Sequence, residues 1–393
     1  MTSTDAASED SPMHSWRDQA RHLAGTMTPP GSRWRELVAR TPRHPFVPRW
    51  WASTQDGWEL RVGNDDHERW LAAAYRDWTL VARVSGVHAD HAEPGARLQG
   101  APTSSSTLPG LLVSMYRHAS LDARSTVLDV GTGTGYGTAL LCARLGQTRV
   151  TTIDVDPYLT EAADRRLDEI GYHPAFLTAD ATGPIDWKGD RIVATVGVKP
   201  IPASWLHGLR TGGRLVTTIA GTSLIITADK QEDGGAAGRV EWDRAGFMRT
   251  RSGADYPARG QLLAVLARAR VEDGEQVEAS PYPVMDVVEA WDVDTMMELL
   301  APGIEHRFIT YDDKADRVAL MAHEDGSWVR AEERGGKVIV HQGGPRRLHG
   351  LLDRVREQWL REGELPIRGA RVAVSPAGVI SLKRGNWTAT VGE

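Results

Sequence analysis

Hydrophobic positions change their period several times along the 393-residue chain, and each change marks a stretch with its own expected architecture. Residues 15–27 and 32–40 have spaced apolar positions behind Ser15 and Ser32. Either serine can cap the free amides of a first helical turn, so two short helices are expected. Residues 43–48, Arg-His-Pro-Phe-Val-Pro, follow as extended backbone, because a proline disfavours helix in the residue before it. From Thr126 strand-like and helix-like text alternate. Residues 126–130, 149–154, 175–178, 191–198 and 214–220 read as strands, and 136–145, 158–170 and 203–209 as helices. This alternation predicts an α/β fold with a mostly parallel sheet covered on both faces. Residues 224–229 and 240–249, on either side of Gly234-Gly235, are expected to finish that sheet as an antiparallel pair.

Beyond about Gly253 the pattern changes again. Residues 284–300 read as a helix, and 317–323, 327–332 and 337–341 as a meander of short strands joined by glycine-containing turns. Residues 346–361 form an amphipathic helix with Leu348, Leu352, Val355 and Trp359 on one stripe and Arg347, Arg354 and Arg361 on another face. Residues 371–375 and 379–383 read as a last hairpin around Pro376-Ala377-Gly378. Three parts are therefore expected: a polar segment 1–30, a core with an N-terminal helical part at 31–252, and a C-terminal α+β domain at 253–393.

Composition narrows the function classes. Hydrophobic residues make up 41% and charged residues 25%, and no apolar run approaches the ~18 residues of a membrane span. The polar first thirty residues lack an apolar signal core. A single cysteine, Cys142, excludes an internal disulfide and a cysteine-rich metal site. A cytoplasmic protein is the expectation, with no membrane partner and no metal. The net charge of −6 gives no basic footprint for nucleic acid. Fourteen tryptophans against four phenylalanines are unusual. Trp50, Trp51, Trp58, Trp70 and Trp78 crowd one region, as a packing layer or as the lining for an extended peptide.

The chemistry concentrates at Val127-Leu128-Asp129-Val130-Gly131-Thr132-Gly133-Thr134-Gly135-Tyr136. A glycine-rich turn between a strand and a helix lets a ligand approach the backbone where a side chain would block it. A dinucleotide fingerprint would need glycine at Tyr136, and no Gly-Lys-Ser/Thr follows for a phosphate loop. Asp154 ends the next strand about 20 residues on, where a carboxylate can accept from both hydroxyls of a ribose. Asp180 follows the third strand, in position to meet an adenine amino group. The three in this order predict S-adenosylmethionine (SAM) as the bound methyl donor, and Asp156 is the better helix cap for residue 157 onward. The candidate cofactor-binding residues are Ser104, Asp129, Gly131, Thr132, Gly133, Gly135, Asp154, Val155, Asp180 and Ala181.

These residues resemble a known family. His44-Pro45-Phe46-Val47-Pro48 and Val127 to Tyr136 are similar to motifs of the protein L-isoaspartate O-methyltransferases. Gly171-Tyr172, Ile201-Pro202, Gly212-Gly213-Arg214-Leu215-Val216 and Gly246-Phe247-Met248 match as well, so the resemblance covers about residues 30–252. It implies a class I SAM-dependent methyltransferase with a Rossmann-like sheet. The family's substrate motif, Thr-(Ile/Val)-Ser-x-Pro, falls on Ser105, Ser106, Thr107, Leu108 and Pro109 when anchored at the proline. Ser105, Ser106 and Thr107 are thus the candidate catalytic residues, within a serine run that departs from the motif.

With its long segment after the core, the arrangement resembles the longer methyltransferases that modify ribosomally made peptides. These esterify an aspartate of a lanthipeptide, lasso peptide or graspetide, and the ester closes to an aspartimide. The resemblance implies a peptide substrate, with repair-type methylation of isoaspartate as the alternative and the monomer or dimer state open. A carboxylate acceptor has a pKa near ~4 and is already ionised at neutral pH, so no general base is needed. His44 and His118 are accordingly read as structural. The C-terminal unit is expected to grip the peptide, through a strand edge or through the face of Arg347, Arg354 and Arg361.

Overall fold

A computed structural model describes residues 15–252, 256, 260–311 and 316–392, and the polar start of the chain lies outside these residues. The chain divides into two compact units, residues 1–180 with 253–255, and residues 181–252 with 256–393.

The first unit opens with helices Trp16–Met27 and Arg35–Arg40. Neither serine caps as expected. The Ser15 hydroxyl donates to the Asp18 carboxylate at 2.8 Å. The Ser32 hydroxyl accepts from the Trp34 N–H at 3.3 Å, one turn ahead of the helix. The segment expected to be extended instead makes a 3-10 turn at His44–Phe46. Proline fits this turn because it is its second residue, where its missing N–H is not needed.

The larger departure is a six-stranded antiparallel sheet where a helical region is expected. Its strands are Arg49–Thr54, Gly57–Val62, Leu80–Val84, Val87–His88, Arg97–Leu98 and Pro102–Ser106. Two tight turns build it. Thr54 pairs with Gly57 around Gln55-Asp56. Val84 pairs with Val87 around Ser85-Gly86, whose φ values of 43° and 83° suit the twist of a hairpin. Trp51 is 1% exposed and packs with Leu60, Val81 and Val84, while Trp58 lies against the same cluster. These tryptophans form a packing layer, whereas Trp78 is 54% exposed.

Strands Val127–Val130, Val150–Asp154 and Ala175–Thr178 then run parallel, in that spatial order. Helices Tyr136–Leu145 and Pro157–Asp168 connect them. All four residues of Val127–Val130 are buried, the continuous pattern of a strand covered on both faces.

In the second unit, Gly189–Val198 and Leu209–Ile219 are parallel and joined through helix Ala203–Gly208. Leu224–Lys230 and Ala236–Arg244 follow antiparallel. The expected pair does not end this sheet. Arg371–Val374 adds beside Ala236–Arg244, followed by Ile380–Arg384 and Trp387–Val391. Strands from both sides of residue 253 therefore share one sheet. The expected meander is present as Arg317–Ala322, Trp328–Arg334 and Lys337–Gly343, extended by Glu305–Thr310 on one side and Gln276–Ser280 on the other. The expected helix 284–300 is shorter, Trp291–Leu300. Leu348, Leu352 and Val355 of helix Leu348–Glu362 are buried, but Trp359 is 42% exposed. Its arginines have local partners: Arg347 pairs with Glu275 at 3.2 Å, and Arg354 donates to the Gly350 carbonyl at 3.3 Å.

Helix Gly260–Val271 lies on this five-stranded sheet. Leu262, Val265, Leu266 and Ala269 recur at helical spacing and pack on Val318, Leu320 and Trp328. Leu262→Ala is expected to cost about 2–5 kcal/mol of unfolding free energy, as for other buried leucines. Denaturant titration measures it, and a loss under about 0.5 kcal/mol would mean that the helix does not pack on the sheet.

Candidate functional site

The glycine loop has the backbone that its sequence requires. Gly131, Gly133 and Gly135 have φ values of 91°, 53° and 95°. A side chain at Gly133 would meet the Ser105 carbonyl oxygen at 2.9 Å, and one at Gly135 would meet Ala163 at 2.9 Å. The loop therefore lies against the serine strand on one side and against helix Pro157–Asp168 on the other. The Gly131 N–H donates to the Ile153 carbonyl at 2.9 Å, and the Gly135 N–H to the Thr132 carbonyl at 2.9 Å.

Asp154 stands at the end of its strand beside this loop. One carboxylate oxygen accepts from the Gly133 N–H at 3.0 Å and the other from the Asp156 N–H at 3.1 Å. Asp156 is the helix cap, accepting from the Tyr158 N–H at 3.1 Å, and also pairs with His88 at 3.0 Å. Val155, between the two aspartates, is half-buried. Asp180 is half-buried after the third strand. Ala181 belongs to the second unit, where its carbonyl accepts from the Trp205 indole at 2.7 Å.

Asp129 is 2% exposed and accepts from the Thr138 hydroxyl at 2.7 Å and the Thr152 hydroxyl at 3.3 Å. Burial pushes its carboxyl up to about 6, against these two hydrogen bonds. Thr132 joins the same network through Thr152 at 2.7 Å. Asp129 and Thr132 thus brace the loop from within.

The serine run is a strand, Pro102–Ser106, paired with Leu80–Val84. Successive side chains on a strand point to opposite faces. Ser104 and Ser106 are buried, whereas Ser105 and Thr107 are half-buried. The two hydroxyls on the motif's threonine and serine positions are thus the more open pair.

Arg43 was not among the sequence candidates, yet it fixes this strand. Its guanidinium is fully buried and donates to five carbonyls: Ala74 (3.0 Å), Arg76 (3.0 Å), Trp78 (2.8 Å), Ser106 (3.1 Å) and Thr107 (3.2 Å). Burial pulls its pKa down to about 10, which still leaves it charged at neutral pH. Thr79 and Asp77 complete the anchorage. The Thr79 hydroxyl accepts from the Leu108 N–H at 3.3 Å, and the Asp77 carboxylate from the Gly110 N–H at 2.7 Å. Phe46, three residues after Arg43, packs on Tyr136 at the end of the glycine loop. The signal for Arg43 was its place beside the His-Pro-Phe-Val-Pro segment, but nothing in sequence spacing shows which carbonyls it reaches.

The arrangement is a glycine turn packed against the serine strand, a carboxylate at a strand end, and two half-buried hydroxyls at Ser105 and Thr107. Among the described residues no cluster of three or more His, Cys, Asp and Glu side chains gathers as for a metal ion.

Comparison with known proteins bears on the same stretch. Residues 92–243 match the family model described as Protein-L-isoaspartate(D-aspartate) O-methyltransferase (PCMT). The protein-L-isoaspartate O-methyltransferase of Syntrophus aciditrophicus (strain SB) is 35% identical over 117 residues, which are 29% of this chain and 52% of that protein. Protein-L-isoaspartate O-methyltransferase 1 of Syntrophobacter fumaroxidans is 32% identical over 136 residues, 34% of this chain and 60% of its own. The chain thus spans about half to three-fifths of the curated relatives it matches. A solved protein-L-isoaspartate O-methyltransferase aligns over 95% of this chain and 98% of its own at 17% identity, with a TM-score of 0.47.

His44 lies beside this anchorage. Its Nδ1 is 2.7 Å from the Tyr75 hydroxyl, and burial with the nearby His67 pulls its pKa from 6.5 down to about 4. Protons then bind the unfolded chain more tightly than the folded one. The stability contributed by neutral His44 is complete above pH 6.5 and is lost as pH falls toward 4. Relative to His44→Gln, the native protein should lose thermal stability across that window. A constant difference in Tm between pH 7.5 and 4.5 would contradict the buried neutral imidazole.

Proposed function

We propose that the chain is a SAM-dependent O-methyltransferase of protein or peptide carboxyl groups, with an isoaspartyl residue as the acceptor class. One observation carries the reading: the glycine loop, Asp154 and the Ser105–Thr107 pair converge within a segment that matches the isoaspartate methyltransferase family model.

The residues fit the donor. Three glycines with positive φ shape a tight turn whose backbone can meet the amino-acid portion of SAM. A carboxylate offers about four lone-pair directions, so Asp154 can receive the ribose hydroxyls while it keeps the Gly133 amide. When bound, SAM supplies a methyl group on a positively charged sulfur. The acceptor carboxylate is ionised at neutral pH and is its own nucleophile. One of its oxygens forms the new C–O bond as the C–S bond breaks, the electron pair stays on sulfur, and no proton moves. The task left to the protein is alignment. Ser105 and Thr107 are assigned to hold the acceptor carboxylate by hydrogen bonds, and Arg43 keeps their strand in place.

A second reading has one observation in its favour. The serine run at 104–106 departs from the family's substrate motif. An ordinary aspartate of a ribosomally made peptide would suit such a change. The ester would then be attacked by the next backbone nitrogen, methanol would leave with that nitrogen's proton, and an aspartimide ring would close.

Intact mass spectrometry after incubation with SAM separates the readings. The expected result is a methylene gain on an isoaspartyl peptide and none on its aspartyl twin. A methylene gain followed by net loss of one water on an aspartyl peptide would favour the second reading. No gain on either peptide would overturn both. Asp154→Ala should raise the KM for SAM about tenfold or more, since hydrogen bonds to a charged group are worth about 1.5–3 kcal/mol each. An unchanged KM would remove Asp154 from the donor site.

A further inference from the structure

The parallel strands Gly189–Val198 and Leu209–Ile219 end side by side, with Val198 opposite Ile219. In open α/β sheets, ligands bind beyond such carboxyl ends. Here the second unit forms an open pocket of about 370 Å³ lined by Lys199, Ile219, Thr222, Glu298, Thr390 and Gly392 among others. The C-terminal hairpins form its far wall and hold the loop after Val198. The Ile201 N–H donates to the Gly378 carbonyl at 3.0 Å. A side chain at Gly378 would strike the Ile201 carbonyl, and one at Gly392 would come within 2.7 Å of Pro200.

One wall is charged. Lys199 Nζ lies 2.7 Å from Glu298 Oε1, and Arg249 Nη2 lies 3.4 Å from the same oxygen. Glu298 Oε2 accepts from the Gly303 N–H at 2.8 Å. The Glu298 side chain is 9% exposed and that of Lys199 26%. Arg249 is held by the segment that flanks the first strand, where the Gly197 N–H donates to the Met248 carbonyl at 2.8 Å. Asp294, one turn earlier on the Glu298 helix, is pushed up to about 6 by burial and by the charge of Glu298. An ammonium has three donors and Glu298 takes one. Arg249 shares that acceptor, so the charge of Lys199 is not matched by Glu298 alone. The remaining walls are largely apolar, with Ile219, Leu299 and Val391.

We propose that this cavity is a carboxylate-binding subsite for a peptide. Lys199 receives the carboxylate, the apolar walls receive its aliphatic neighbours, and Glu298 is the internal anion with which the ligand competes. The carboxylate is either a peptide's free C-terminus or an acidic side chain. Binding at this subsite does not depend on methyl transfer.

Isothermal titration calorimetry of the full chain without SAM tests it. The probes are Leu-Ala-Ala-Ala-Leu as the free acid, the same peptide as the C-terminal amide, and the amide Leu-Ala-Glu-Ala-Leu. Binding of the free acid but not the plain amide assigns a C-terminal carboxylate, and binding of the glutamate amide assigns a side chain. Lys199→Met is expected to weaken binding at least tenfold, and Lys199→Arg to retain it. Glu298→Gln is expected to tighten binding several-fold, because it removes the competing anion. A merely structural ion pair would make both neutralising variants lose. Equal affinity for all three probes, no binding of any probe, or a loss in Glu298→Gln parallel to that in Lys199→Met would overturn the proposal. The comparison of acid with amide on the unaltered protein stands even if a variant fails to fold.

Discussion

The buried guanidinium of Arg43 is the constraint on which the candidate site depends. A cation without exposure carries a large desolvation penalty, visible in its lowered pKa. Five backbone carbonyls, drawn from the turn at 74–78 and from the end of the serine strand, offset that penalty. The Arg76 carbonyl also accepts from the Trp78 N–H at 2.8 Å, but every one of the five loses a donor without Arg43, and a buried acceptor left unsatisfied costs about 1–3 kcal/mol. The arrangement is therefore mutual: the cation requires the carbonyls to converge, and their convergence fixes where Ser105 and Thr107 stand. The next residues extend the same lock. His44 meets Tyr75, and Phe46 packs on Tyr136 at the end of the glycine loop. One short segment thereby joins the serine strand to the glycine loop.

Much of the donor loop was legible in the sequence. Gly131, Gly133 and Gly135 adopt backbone that other residues rarely take, and Asp154 ends a strand of β-branched residues, Val150-Thr151-Thr152-Ile153. The acceptor side was less so, because a run of serines has no hydrophobic period, and its strand exists only through pairing with Leu80–Val84. The rest of the N-terminal sheet had stronger cues. Asp56-Gly57 and Ser85-Gly86 are hairpin signals between β-forming runs, which the expectation of a helical N-terminal part left out. Helix Gly260–Val271 also carried a readable stripe in Leu262, Val265, Leu266 and Ala269. By contrast, Gln276–Ser280 has no buried residue, so no alternation could mark it. The five carbonyls lie 31 to 64 residues from Arg43 along the chain, which no local pattern encodes.

The chain beyond residue 260 does more than add a separate layer. Three of its strands continue the sheet from Ala236–Arg244, and their turns pack against the loop after Val198. That packing turns the end of a parallel strand pair into a walled cavity with a charged side. On the proposed reading, a chain longer than the family segment gains a second place for a peptide carboxylate by extending a sheet rather than by altering the glycine loop.

The central claim is that Arg43 positions the acceptor strand and leaves the donor loop to its own glycines and Asp154. The direct measurement is Arg43→Lys, checked for cooperative unfolding, with SAM affinity by calorimetry and methyl transfer to the isoaspartyl peptide recorded side by side. Lysine keeps the charge but cannot reach five carbonyls with a fixed fork. The account predicts that SAM affinity stays within a factor of about two while kcat falls by about a hundredfold or more, the scale of a misplaced reacting group. A folded variant with unchanged kcat, or one that loses SAM binding as severely as methyl transfer, would contradict it.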